Sequence, residues 1–578
     1  MKTTRRSFLR TAAMLSTQPL ILGGLQACGD DGETVTPQPD AGGDGFDMDG
    51  SAMTDGSADA DTEVPDEPDT LPQYEYTGEP GPETLFSHGV ASGDPLQDAV
   101  IIWTRVTPEV EGPAEVWYEV SRDVDFTRRV EVGTFTTGPE RDYTVKYDAV
   151  GLEPGRTYYF RFKYLGRTSI VGRMRTAPVG DVSKLRFAVC SCSSWGHGYF
   201  HAYRGIGERN DLAAVLHLGD YIYEYGTNEY GRIREYEPAN EIVSLSDYRT
   251  RYAQYRTDEN LQFMHQQHPI IAVWDDHETA DNSWRDGANN HSEGSEGTWA
   301  DRKAAAFQAY MEWMPIREQE EFKIWRSFNY GNLLDLVMLD TRIWGRDLEV
   351  AGSDIEGINA PGRQLLGADQ EAWVLQTLEE SSARWKVIGQ QVMVGNWKSF
   401  GGLDSEGGGG VTNGDQWDGY RPARKKFFDA IESTDAGTVV VLTGDIHSSW
   451  AHNLAPDPNN PESYNPTTFE GSIAVEYVVP GISSPGFPRA VGEAFVLTAK
   501  DNNPTLQWAE LANRGYLVLD VTPERVQGAW FHYEDVIDPD PTAFPEFFKA
   551  AWATDYGTGY LVEDSAPADP IADAPDLV

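Results

Sequence analysis

Leu212-Ala213-Ala214-Val215-Leu216-His217-Leu218-Gly219-Asp220-Tyr221-Ile222-Tyr223 begins as a short apolar run and ends in polar, metal-competent side chains. A continuous run of this length reads as a strand buried on both faces. The same join recurs along the chain. Leu185–Val189 leads to Cys190-Ser191-Cys192, Ile270–Trp274 to Asp275-Asp276-His277-Glu278, and Leu333–Leu339 to Asp340-Thr341-Arg342. Trp385–Ile388 leads to Gly389-Gln390-Gln391, and Thr438–Leu442 to Thr443-Gly444-Asp445-Ile446-His447. Helical patterns at Ser246–His265, Trp299–Met314, Ala368–Ser381 and Ala423–Ile431 alternate with these runs. The alternation predicts an α/β domain, whose ligands gather beyond the carboxyl ends of its strands. Further strands at Gly515–Val521 and Val526–Tyr533 are expected to close the sheet region. A helix at about Pro541–Trp552 is expected to end the ordered chain.

Working outward, residues 84–178 carry short strand patterns instead, at Val100–Arg105, Ala114–Val120, Tyr143–Val150 and Thr157–Lys163, with a turn at 151–155. They predict a small all-β domain of the immunoglobulin or fibronectin type III kind over residues 81–180. The α/β domain follows over 181–560, and an acidic tail over 561–578. At the other end, Arg5 and Arg6 precede Ser7-Phe8-Leu9, an apolar stretch from Thr11 to Leu25, and Leu25-Gln26-Ala27-Cys28. That order resembles a twin-arginine export signal ending at a lipoprotein cleavage site, which would place a lipid on Cys28. The alternative is a slightly basic, disordered tail. Residues 29–80 hold sixteen Asp or Glu and no Lys or Arg, a composition that buries no core and reads as an acidic tether or a solvated tail. The formal net charge of -46 is unevenly placed, but the remainder is acidic too, which argues against nucleic-acid binding by a basic surface. With Cys28 lipidated, Cys190 and Cys192 remain, too close in sequence for an unstrained bridge.

The strand ends offer carboxylates, two His, a Tyr and thiols. No nucleophile elbow and no phosphate-cradling Gly-rich loop is present. Mixed oxygen, nitrogen and sulfur donors suit metal ions, which activate water and neutralise phosphate charge. Singly, each member has a structural reading. Asp220 is also a turn or capping residue, 275–278 a solvated loop, His447 a structural histidine. The joint pattern is far more specific.

Gly219-Asp220-Tyr221-Ile222-Tyr223, Trp274-Asp275-Asp276-His277-Glu278 and Gly444-Asp445-Ile446-His447 together resemble the PhoD-like alkaline phosphatase family. Ser191-Cys192, Leu339-Asp340-Thr341-Arg342, Gly89-Val90-Ala91-Ser92-Gly93-Asp94-Pro95 and Trp103-Thr104-Arg105 fit it as well, so the resemblance covers roughly residues 84–560. It implies a calcineurin-like metallophosphatase core, a mixed β sandwich flanked by helices. It also implies a ferric ion with calcium ions, and hydrolysis of phosphate mono- and diesters at alkaline pH by attack of a metal-bound hydroxide. Carried over by residue, Cys192, Tyr223 and His447 would bind iron, Asp220 would bridge metals, and Asp445, Asp276 and Asn282 would bind calcium. His277 would be the catalytic proton donor, and Arg342 a phosphate-binding group or a support for the ligands. Cys190 departs from the family pattern, where a small apolar residue is expected.

The expectation is therefore an exported, periplasmic or surface phosphoesterase anchored by lipid. Two rival readings are a phospholipase D-like phosphodiesterase on lipids and a surface binding protein whose phosphatase domain is inactive. The C-terminal aromatic segment is expected either to dock on the core or to cap the site.

Overall fold

The computed structural model describes residues 70–398, 411–435 and 437–578. The paired arginines, Cys28 and most of the acidic stretch lie outside the described residues. Among the described residues, no helix is long and apolar enough to cross a membrane.

The strands are, in chain order, β1 (Val90–Gly93), β2 (Ala99–Arg105), β3 (Ala114–Ser121), β4 (Arg129–Thr137), β5 (Thr144–Val150), β6 (Thr157–Tyr164), β7 (Arg167–Thr168) and β8 (Gly172–Arg175). They continue with β9 (Leu185–Cys190), β10 (Ala214–His217), β11 (Pro269–Ala272), β12 (Arg326–Tyr330), β13 (Leu334–Met338), β14 (Trp385–Gln390) and β15 (Val439–Thr443). The last are β16 (Ser449–Leu454), β17 (Ala474–Val478), β18 (Leu506–Glu510), β19 (Arg514–Val521), β20 (Arg525–Tyr533), β21 (Phe547–Asp555) and β22 (Val562–Asp564). A ten-stranded sheet runs β22-β21-β20-β19-β9-β10-β11-β1-β2-β5, and a seven-stranded sheet runs β12-β13-β14-β15-β17-β16-β18. A five-stranded sheet runs β4-β3-β6-β7, with β8 beside β6.

All the apolar runs are strands. β9, β10 and β11 are parallel in the first sheet, and β13, β14 and β15 in the second. Phe187, Val189 and Leu216 of the first sheet share one core with Leu336, Met338, Val440 and Leu442 of the second. Val337, Leu339, Val439 and Val441 point the other way, onto Val374, Leu378, Phe427 and Ile431 of the helices Ala368–Glu380 and Arg421–Glu432. This two-sided burial is why the runs show no polar alternation. Each such Val or Leu contributes about 1.5–3 kcal/mol.

The N-terminal region is all-β and double-layered around Val100, Ile102, Val116, Val120, Phe160 and Phe162. It departs from a self-contained immunoglobulin-like sandwich, which owns both of its sheets. Here one layer, β1, β2 and β5, is the end of the ten-stranded sheet, because β1 pairs in parallel with β11. The 89–95 motif makes that join. Asp94 accepts from Arg326 at 2.6 and 2.9 Å and from the backbone N–H of Arg317 at 2.8 Å. A Cβ on Gly93 would lie 2.1 Å from the Pro315 carbonyl oxygen, so only glycine fits there.

Three expectations are corrected. Ser246–His265 is not one helix but two, Leu245–Tyr255 and Glu259–Gln267, because Asp258 caps the second by accepting from the Asn260 and Leu261 N–H groups. Pro541–Trp552 is not a helix. Its second half belongs to β21, which satisfies the open edge of β20 and is itself covered by β22. β21 therefore lies three strands from β9 and supplies no helical cap over the site. The ordered chain also continues through the acidic tail. The Arg186 and Lys184 side chains donate to the carbonyls of Ala568 and Asp569, and Gln267 exchanges two hydrogen bonds with Val578.

Candidate metal centre

The carboxyl ends of β9, β10, β11 and β15 converge. Cys192, Asp220, Asp445 and His447 leave their strands at φ values of 62°, 56°, 63° and 57°, and Asn282 sits at 48°. This left-handed region is unfavourable for side chains other than glycine, and it is found where packing over-determines a functional geometry. Turning there swings each side chain inward. Gly219 (φ 107°) permits the crossing, since a Cβ there would lie 2.4 Å from that of Asp275. The buried Glu278 fastens two of these loops by accepting from the backbone N–H groups of Asp220, Tyr221 and Asp275 at 3.0, 2.7 and 2.9 Å. Burial, then the neighbouring Asp220 charge, pushes Glu278 up to about 8, against the pull of those donors.

Donor atoms of Cys192, Asp220 and His447 lie within 4.8 Å of one another, as do those of Asp220, Asp276 and His277, and those of Asp275, Asp276 and Asp445. Asp220 and Asp276 each belong to two groups, so the three form a continuous chain. The Tyr223 hydroxyl joins the first, donating to Asp220 at 2.9 Å and lying 3.1 Å from His447 Nε2, while Ser484 donates to it at 2.6 Å. Asn282 stands at the Asp276 end, where its backbone N–H donates to that carboxylate at 2.6 Å.

The residues fit metal ions on observations independent of resemblance. Asp275 Oδ2 and Asn282 Oδ1 are buried and accept no hydrogen bond among the described residues. Burial, with Asp220, Asp276 and Asp445 alongside and despite Arg342, holds Asp275 well above the usual carboxylate value, a situation a cation relieves. The donor set is also graded. Thiol, phenol and imidazole collect at one end, suited to a transition metal, and carboxylate oxygens at the other, suited to a hard cation.

His277 lies between the two ends. Its Nδ1 is 2.7 Å from Glu224 Oε2, and its Nε2 is 4.0 Å from Asp276 Oδ2. Its ring stacks on Tyr223 at 4.2 Å between centroids. Burial works to lower its pKa, but the charges of Asp276, Glu224 and Asp220 raise it well above the ordinary value.

Arg342 is placed differently from a substrate-binding group. It is 0 % exposed, behind the carboxylates, and its guanidinium reaches Asp275, Asp415 and Asp445 at once. Against the cost of burial, Arg342 and Arg346 hold Asp415 below the usual carboxylate value. Of the expected site residues, the structure thus brings together Cys192, Asp220, Tyr223, Asp276, His277, Asn282, Asp445 and His447, with Arg342 beneath them. Cys190 lies apart, inside β9 in the apolar core. Sequence reasoning missed Asp275, Glu224, Asp415 and Ser484. Asp275 and Glu224 lie in or beside the quoted motifs, whereas Asp415 and Ser484 lie in loops whose local sequence carries no signal.

The pattern of the PhoD-like phosphatase family matches residues 187–530, and that of the PhoD-like phosphatase N-terminal domain matches residues 74–178. Alkaline phosphatase D of Bacillus subtilis (strain 168) is 38% identical over 465 residues, 76% of this chain and 76% of the relative. A solved structure described as that of PhoD superimposes with a TM-score of 0.76 at 33% identity, over 86% of this chain and 94% of that one. The chain belongs to the PhoD-like phosphatase family.

Proposed function

We propose that this chain is an exported hydrolase of phosphate mono- and diesters, working at alkaline pH with one iron and more than one calcium ion. The observation that carries the reading is the continuous chain of three donor groups, graded from thiol and phenol to carboxylate. Cys192, Tyr223, His447 and Asp220 would hold iron; Asp220, Asp276, Asp445, Asp275 and Asn282 would hold calcium. Bound there, the metals would lower the pKa of a water and offset the charge of the phosphate.

The chain's own groups supply the rest. Asp220 and Asp276, each shared by two donor groups, would hold adjoining ions. Arg342 offsets the mutual repulsion of Asp275, Asp415 and Asp445. Glu224 accepts from Nδ1 and fixes the His277 ring with Nε2 toward the site, where the imidazolium form would pass its Nε2 proton to the departing ester oxygen. The export signal and Cys28 would deliver the protein to the periplasm or cell surface on a lipid anchor.

The test is elemental analysis of protein purified without chelator, with turnover measured on nitrophenyl phosphate and bis-nitrophenyl phosphate. Bound iron and calcium with turnover on either substrate supports the reading. Metal-free protein, or metal-loaded protein that turns over neither, overturns it. The anchor is tested separately, since Cys28→Ala should move the protein from the membrane to the soluble fraction.

A further inference from the structure

Three tyrosines of the loop after β10 crowd His277, and they stand at different depths. Tyr223 is fully buried and stacks on His277 at 4.2 Å. Tyr225 and Tyr230 are half-buried and rest against the edge of the core. The Tyr225 ring lies 5.4 Å from that of His277 and 5.0 Å from that of Tyr230. Tyr230 stacks on Tyr223 at 5.5 Å with the planes 18° apart, and lies 6.3 Å from His277. The His197 ring meets Tyr230 at 4.4 Å, steeply inclined, and His197 is near enough to His447 for their charges to interact. These rings form a continuous border between His277 and the neighbourhood of His447.

Backbone contacts hold that border in place. A Cβ on Gly231 would lie 2.3 Å from the Gly196 carbonyl oxygen, and a Cβ on Gly196 would lie 2.6 Å from that of Tyr230, so the two chain segments touch through glycine. The Ile233 N–H donates to the Gly196 carbonyl at 2.8 Å, and the Thr227 N–H to that of Ala239 at 2.8 Å. A substrate has to meet these rings. The departing ester oxygen comes to His277 Nε2, so the group it carries must lie beside whatever borders His277. Of the three tyrosines there, Tyr223 is enclosed among the metal donors, whereas Tyr225 and Tyr230 keep accessible surface. The carboxylates whose charges act on Tyr225 are Glu224, Asp281 and Asp276, and they disfavour a leaving group that is itself anionic.

We infer that Tyr225 and Tyr230 set the leaving-group specificity, favouring phosphate esters whose leaving group is a flat, uncharged aromatic ring. Flat rings gain from offset or edge-on contact with aromatic faces, which a puckered or branched group of similar size cannot reproduce. The inference rests on the phosphoesterase reading, with His277 as proton donor to the ester oxygen.

Phenol and hexafluoroisopropanol are of similar acidity, so kcat/KM on their phosphate esters, compared for the metal-loaded protein, isolates the shape of the leaving group. Wild type should prefer the phenyl ester by about 3–10-fold. Tyr225→Leu and Tyr230→Leu should each bring that ratio toward one with iron and calcium contents kept. Tyr225→Phe and Tyr230→Phe, which keep the rings, should retain it. Calorimetry supplies a readout without turnover: benzylphosphonate should bind wild type several-fold more tightly than cyclohexylmethylphosphonate, a puckered group of similar size. Should the leucine variants fail to fold, that comparison decides. Equal affinity for the two phosphonates, or an ester ratio that leucine leaves unaltered, overturns the inference and leaves the rings as packing. Turnover of neither ester by wild type overturns the underlying phosphoesterase reading and the inference with it.

Discussion

Replacing Arg342 with Met separates a residue that supports the metal ligands from one that grips substrate. The side chain is fully buried and reaches Asp275, Asp415 and Asp445. Methionine fills a similar volume without the charge, leaving three carboxylates facing one another, of which Asp415 keeps Arg346 as a second cation. Breaking a buried pair in this way costs about 3–5 kcal/mol. In excess chelator the variant should therefore lose about that much stability. Cations replace part of what the arginine supplied, and ligand held at a hundred times its dissociation constant returns about 2.7 kcal/mol by mass action. The deficit should shrink by that order in saturating calcium. The assay is urea unfolding followed by tryptophan fluorescence and circular dichroism, with coincident transitions required before a free energy is extracted. A variant within about 1 kcal/mol of wild type in chelator, with a raised KM, would show instead that Arg342 acts on substrate.

Cys192→Ala should lose bound iron, visible colour and most turnover, while Cys190→Ala, in the β9 core, should cost only about 1 kcal/mol of stability and keep its metal, both read by elemental analysis and unfolding. Glu224→Gln should lower kcat by about 10–100-fold with little change in KM, and the loss should be larger for poor leaving groups, since the His277 proton matters most there. His268→Gln tests acid lability. Burial, aided by the Arg173 charge, lowers that histidine to about 3, so the folded state stays neutral while the unfolded state takes up a proton below about 6.5. The stability it contributes is complete above pH 6.5 and is lost as pH falls toward 3. The gap between variant and wild type should thus narrow by about 2 kcal/mol between pH 7.5 and pH 5.0, and a constant gap would contradict it.

The core strands and most of the donor side chains that cluster were legible because buried parallel strands leave an unbroken apolar signature and their carboxyl ends follow at once. What was not legible depends on partners distant in sequence. β1, β2 and β5 look like strands of a free-standing domain until β11 is seen beside β1. Phe544, Phe547 and Phe548 have helical spacing, but the unpaired edge of β20 recruits 547–555 as a strand. For Arg342 the sequence left two roles open, a phosphate-binding group or a support for the ligands; the carboxylates around it, one of them Asp415 from a loop without pattern, favour the second.

The shared sheet also governs the order in which the molecule can be made. Ser92 can pair with Ile102 early, but its partner on the other side, Pro269, comes far later, and β9, beside β10 on one edge, waits for β19 near the end of the chain on the other. Local pairings can form early, but the large sheet closes from both sides late, a topology of high contact order that folds slowly. A nascent chain stalled between these events would carry the bare edges of β1 and β9, templates for association with other chains. The same edge would be exposed in any fragment cut at the boundary between the leading β region and the rest.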